Sequence, residues 1–225
     1  MTSRLRWFEL ALVLGIAFGG PLVSAMAIAF SDPATRVDAT PNASAIYFLV
    51  HESLAVTLLG YVLLRQGRTL ADIGLTFSWK DIPHSLAVAG VSYGAFLLVY
   101  AAVSRLFPEA PENARDAADL TQIQAASISL LVGVVLINPF FEEVIVRAYA
   151  MTELAALTGS RIVAVAGSVA VQVAYHVYQG PRNAVALGAM FLIFSVYYAR
   201  VGRAGPIILA HMYFDAYAIA FSLRA

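Results

Sequence analysis

The chain has 225 residues, 60% hydrophobic and only 12% charged, with 14 basic and 14 acidic residues that cancel, and its mean hydropathy is +0.77. That composition excludes an ordinary soluble domain and reads as an all-α, polytopic membrane helix bundle. Zero net charge without a Lys/Arg tract offers nucleic acid nothing to bind, and the lack of cysteine excludes disulfides, thiolate nucleophiles and cysteine-held metals.

Seven apolar segments are long enough to count as crossings: 7–30, 45–64, 83–107, 123–157, 162–178, 183–198 and 204–221. The first reads as a retained span, since it lacks a convincing small-residue cleavage site. Short polar connectors separate the segments, so residues 1–225 form a single integral membrane domain without repeats. Segment 123–157 is far longer than one crossing needs. Asn138-Pro139 within it has the look of an N-cap followed by a first-turn proline, which leaves two readings: one long kinked helix, or two elements meeting at Pro139 and eight spans in all. With one crossing here, Arg4, Arg6, Arg65, Arg68, Lys80, Arg161, Arg200 and Arg203 share a side, against Arg36, Arg105, Arg115, Arg182 and Arg224. The positive-inside rule therefore favours seven spans with the N-terminus in the cytoplasm. Arginine supplies thirteen of the fourteen basic residues, a bias that points to a GC-rich bacterial genome and so to the bacterial inner membrane.

The informative feature is Glu142-Glu143 inside that long apolar segment. A charged side chain at membrane depth costs roughly 2.5–3.5 kcal/mol on insertion scales, so its presence marks a functional site. Four residues separate Glu143 from Arg147, which pairs them on one helix face and leaves Glu142 free to face a cavity. His176 lies near the end of the fifth segment. His211 and Asp215, again four apart, share a face of the seventh. A carboxylate with two imidazoles suits amide hydrolysis: the carboxylate takes a proton from water, one His positions that water, and donors stabilise the charge developing on the carbonyl oxygen. Glu142, His176 and His211 are equally ordinary zinc ligands, although no H-E-x-x-H element is present. His51 and Glu52 in the second segment either line the same cavity or pair with helix neighbours. His84 reads as interfacial, and the small residues Ala166, Gly167 and Ala170 as a close helix contact.

The order E-E-x-x-x-R, then a His on a later helix, then H-x-x-x-N/D resembles the CPBP family of CAAX prenyl endopeptidases and bacteriocin-processing (Abi) intramembrane proteases. Glu142, Glu143 and Arg147 carry the first motif, His176 the second, and His211 with Asp215 the third, within a protease core at 136–218. Gln172 stands where that pattern has Phe, Asp215 where Asn is commoner, and Val146-Arg147-Ala148 where Phe-Arg-Gly is frequent. The resemblance implies an endopeptidase that cleaves a membrane-associated protein or peptide near its C-terminus or within a membrane segment. It further implies Glu142 as general base, His176 holding the water, His211 and Asp215 forming the oxyanion site, and Glu143 with Arg147 in support. On that reading no cofactor is needed, although such enzymes have long been labelled metalloproteases and a divalent metal such as zinc is the alternative. Two readings from other classes compete: a transporter relaying protons through the buried acids and histidines, and a non-enzymatic membrane immunity or scaffold protein.

Overall fold

A computed structural model of the protein describes residues 2–30, 40–106 and 126–222. The described residues are helical, without strands. Seven apolar helices follow one another: α1 Ser3–Phe30, α2 Pro41–Arg65, α3 Asp81–Leu106, α4 Ile128–Thr158, α5 Arg161–Tyr175, α6 Pro181–Val201 and α7 Gly205–Ser222. Each coincides with one of the seven hydrophobic segments. Five of them, α1 to α4 and α6, are long and apolar enough to cross a membrane, whereas α5 and α7 are shorter. At 15 residues α5 rises only about 23 Å, less than the roughly 30 Å of hydrocarbon. It stops early because Tyr175 is followed by His176, which closes the helix and opens a short 3-10 turn, Val177–Gln179.

Of the two readings open at Asn138-Pro139, the structure shows the single long helix. α4 begins at Ile128 after Ser127 and runs unbroken through Pro139. Helix-breaking residues are tolerated in membrane helices because neighbours satisfy the freed backbone groups, and the Asn138 side chain is spent on Glu52 of α2 and on Glu142 one turn along α4 instead of capping a helix start. Residues Glu143–Met151 then open into a π-helix, all nine of them buried. Such i→i+5 segments are rare and frequently mark functional sites. With α4 continuous, the described residues hold seven apolar helices, five of them long enough to cross a membrane.

The polar contacts fix which helix ends share a membrane face. Arg6 at the start of α1 and Arg68 beyond α2 both bind Glu153 near the end of α4. Arg65 at the end of α2 binds Glu9, and Arg203 before α7 binds Asp81 at the start of α3 at 2.8 Å. On the opposite face Ser127 before α4 donates its backbone N–H to Asn42 at the start of α2. Arg4, Arg6, Arg65, Arg68, Lys80, Arg161, Arg200 and Arg203 therefore lie at one face of the bundle, with Arg105 and Arg182 at the other, as the seven-span reading expects. Arg36, Arg115 and Arg224 lie outside the described residues. Gly74 makes the basic face possible: its φ is +73°, and a Cβ there would stand 2.2 Å from the Gly202 carbonyl oxygen. Gly167 packs directly beneath Leu154, so the small-residue pattern in α5 is a helix contact.

α4 occupies the centre, touching α1, α2, α5, α6 and α7. The main apolar core is built around its π segment, from Val144, Ile145, Val146 and Tyr149 with Phe18, Leu59, Phe191, Phe194 and Ile207. Glu153 marks the interface through its two arginines. Glu142 lies eleven residues further along the same helix, or about 16 Å, which is half the thickness of the hydrocarbon.

Candidate active site

Three helices supply the site. α4 carries Asn138, Glu142, Glu143 and Arg147; α5 carries Gln172 and ends at His176; α7 carries His211 and Asp215. Glu142, Glu143, Arg147, His176 and His211 are all buried. Asp215 is the open edge, with a quarter of its side chain exposed.

Glu143 and Arg147 meet as the spacing predicts, with Arg147 Nη1 donating to Glu143 Oε1 at 3.2 Å. Arg147 is wholly enclosed, its guanidinium 4.7 Å from the centre of the Phe191 ring, a cation–π contact that helps offset the loss of water. The same Glu143 oxygen accepts from His211 Nδ1 at 2.9 Å. Glu143 is thus more than a partner for Arg147. An ionised carboxylate only accepts, so His211 Nδ1 carries a proton and Nε2 is the nitrogen left for other work. Nε2 lies 3.7 Å from Asp215 Oδ1, within ion-pair range and beyond a hydrogen bond.

Glu142 differs from its sequence reading, in which it was left over. Gln172 Nε2 donates to its Oε2 at 2.9 Å, and Asn138 Nδ2 donates to its Oε1 at 3.2 Å. Counting spacing along one helix could not reveal the first of these partners, which comes from α5. Both carboxylate oxygens keep lone pairs, so the amides fix the orientation of Glu142 without consuming its capacity as a base.

His176 is set by the same residue from the other end. Its Nδ1 lies 2.8 Å from the Gln172 carbonyl oxygen, and because a carbonyl only accepts, Nδ1 carries the proton and Nε2 presents a lone pair. The backbone at His176, φ −97° and ψ 6°, falls in the sparsely populated bridge region, where active-site residues are often found. Gln172 thus ties base and imidazole together, by side chain and backbone respectively. Phe191 joins the two halves of the site: its ring centre is 5.1 Å from that of His176 and 5.8 Å from that of His211.

Gln172, Asn138 and Phe191 were missed as site residues by the sequence reading. Gln172 alone had a signal, as a polar residue where the family pattern is aromatic. Of the second-segment pair, His51 is spoken for elsewhere, its Nε2 on the Ala17 carbonyl at 3.0 Å and its ring stacked on Tyr47. His84 contacts Tyr197 at 3.3 Å, an exposed pairing away from the acids. Among the described residues no three His, Asp or Glu side chains are arranged to hold a metal ion.

Residues 124–217 match the family model described as type II CAAX prenyl endopeptidase Rce1-like. The match spans all three motifs and agrees with the resemblance read from them. No curated protein and no solved structure matches the chain. The matched segment is similar to CAAX-type intramembrane endopeptidases, and the apolar helices describe a multi-pass membrane protein.

Proposed function

We propose that this Rce1-like chain hydrolyses a peptide bond of a membrane-associated protein or peptide by means of a water molecule activated by Glu142. The observation that carries the reading is the pairing of a carboxylate held at both oxygens with an imidazole whose free nitrogen is Nε2, both fixed by Gln172 in the buried interior of the bundle.

A water between them donates one hydrogen to Glu142 and the other to His176 Nε2, which directs an oxygen lone pair at the substrate carbonyl. Glu142 takes the proton as the oxygen attacks. Charge then develops on the carbonyl oxygen, and His211 is the group placed to meet it. With Nδ1–H engaged on Glu143, the ring donates from Nε2 only as an imidazolium, with the Glu143 and Asp215 carboxyl groups on its two sides. Asp215 orients that charge while leaving Nε2–H free to turn to the oxyanion. Collapse of the tetrahedral intermediate breaks the C–N bond, and Glu142 returns its proton to the leaving amine. Arg147 neutralises Glu143 so that the carboxylate is tolerated in the core. Substrate reaches the site from the side of Asp215, the exposed member of the set. The basic face of the bundle is cytoplasmic in this reading, and the host membrane is the bacterial inner membrane.

The test compares N- and C-terminal peptides of the membrane proteome between cells making the wild type and cells making Glu142→Gln, matched for accumulation and for elution as a folded species. We expect at least one membrane protein to be cut only with the wild type, and purified enzyme to cleave a peptide spanning that site. Identical termini in both cell lines, or cleavage of that peptide by Glu142→Gln at the wild-type rate, overturns the proposal.

A further inference from the structure

Glu52 is a buried acid that the scheme above leaves unused and that, unlike Glu9, Asp81 and Glu153, is given no arginine partner among the described residues. It sits on α2, is 1% exposed, and points at the same part of α4 as the catalytic carboxylate. Asn138 Nδ2 donates to Glu52 Oε1 at 2.7 Å and to Glu142 Oε1 at 3.2 Å. One amide nitrogen, with two hydrogens, therefore serves two carboxyl groups. The ionisable groups whose charge Glu52 feels are Glu142, Asp215 and His211. Its second oxygen, Oε2, is buried without a hydrogen-bond partner among the described residues. An unsatisfied buried oxygen is costly and calls for an explanation, and helix packing alone gives none, since an apolar residue would fill the position at less cost.

Asparagine on a helix has other uses for its amide: its side chain competes for nearby backbone groups one turn away. The acceptor on α2 is what holds the amide nitrogen towards Glu142, because the stronger of its two bonds, the shorter one, is to Glu52.

Resting on the function proposed above, we infer that Glu52 is a positioning residue for the general base: through Asn138 it fixes the Glu142 carboxylate in the orientation that activates water. The Glu142 clamp then spans three helices, with Glu52 on α2, Asn138 on α4 and Gln172 on α5. Outer partners of this kind hold a reacting group within the narrow tolerance catalysis needs.

Two substitutions separate positioning from packing. Glu52→Gln keeps an acceptor oxygen towards Asn138, whereas Glu52→Leu keeps volume and removes it. On the peptide identified by terminal proteomics, Glu52→Leu should lower kcat about tenfold or more with KM within about twofold, and Glu52→Gln should stay within about threefold of the wild type. Glu52→Met replaces the leucine variant if that one fails to accumulate. A second readout needs no substrate. Selective ¹⁵N-asparagine labelling reports four side-chain amides, Asn42, Asn113, Asn138 and Asn183, and the pair lost in Asn138→Ala belongs to Asn138. That pair should lie downfield in the wild type and in Glu52→Gln, and move upfield in Glu52→Leu. Wild-type kcat in Glu52→Leu, or an Asn138 amide indifferent to it, overturns the inference while leaving the endopeptidase intact. A wild-type enzyme that cleaves nothing removes the reading on which both rest.

Discussion

Gln172→Leu isolates the contact on which the catalytic reading depends most. Gln172 is fully buried on α5, so leucine of similar volume leaves packing nearly unchanged. What disappears is the 2.9 Å hydrogen bond from Nε2 to Glu142 Oε2. The bond to His176 comes from the Gln172 backbone carbonyl and survives. A hydrogen bond to a charged group is worth about 1.5–3 kcal/mol, and at about 1.4 kcal/mol per tenfold in rate its loss from the transition state lowers kcat about 10- to 150-fold. KM should stay within about twofold, because Gln172 contacts the base and no exposed surface. Stability should change little, since the substitution also removes an amide oxygen that lacks a partner in the core. The assay is cleavage of a quenched-fluorescent peptide by detergent-purified enzyme, with thermal unfolding as the control. Gln172→Phe installs the aromatic of the family pattern and sharpens the test, as it restores bulk without the donor. Wild-type kcat in both variants would refute the idea that the amide holds the base. A fall in kcat matched by a collapse of the melting temperature would instead assign Gln172 a packing role.

Three further outcomes are expected. Asp215→Asn should retain activity within about tenfold, since an amide can still orient His211 across the 3.7 Å gap, whereas Asp215→Ala should lose about 10²-fold or more, the scale of removing a group that organises an oxyanion site; equal activities would remove Asp215 from the site. Incubation with a strong chelator should leave the rate of purified enzyme unchanged, because no step of the scheme uses a metal, and loss of activity restored by zinc would overturn that scheme. Gly74→Ala should destabilise the protein by about 2–4 kcal/mol, combining backbone strain at a φ of +73° with a clash against the Gly202 carbonyl; an unchanged melting temperature in detergent would contradict the packing of the 74–81 loop beneath α7.

The helices were legible in the sequence because membrane insertion imposes a length and a composition on each one. All seven segments became helices, and even the side on which the basic residues gather followed from their order. Asn138-Pro139 left two readings open for a physical reason: a cap followed by proline starts a helix in water, where the freed groups must be satisfied locally, but in a packed membrane bundle other helices can satisfy them. The site residues were legible where two of them share a helix. Glu143 with Arg147 and His211 with Asp215 could be paired from spacing. What could not be read was any partnership across helices. Neither the bond from His211 to Glu143 nor that from Gln172 to Glu142 leaves a periodic trace, and the Asn138 bridge to Glu52 joins residues 86 positions apart.

Adjacent acids at one depth of one helix serve two different neighbourhoods for a geometric reason. Successive residues of a helix turn by about 100°, so Glu142 and Glu143 cannot face the same wall. Glu142 turns to α2 and α5, where amides from Asn138 and Gln172 hold it without neutralising it. Glu143 turns to α7, where His211 meets it while Arg147, one turn along α4, binds the same oxygen. An unneutralised carboxylate is what a base requires, and a neutralised one is what a charged imidazole can be anchored to. Exchanging the two environments would defeat both tasks: an arginine beside the base would hold its electrons from water, and a bare carboxylate in the π segment would be left as an unpaired charge among Val144, Ile145 and Val146, all buried. In the proposed scheme the dipeptide is therefore the shortest arrangement by which one helix can set a proton acceptor and the anchor of an oxyanion donor at a single depth, with the Phe191 ring between the imidazoles that each half controls.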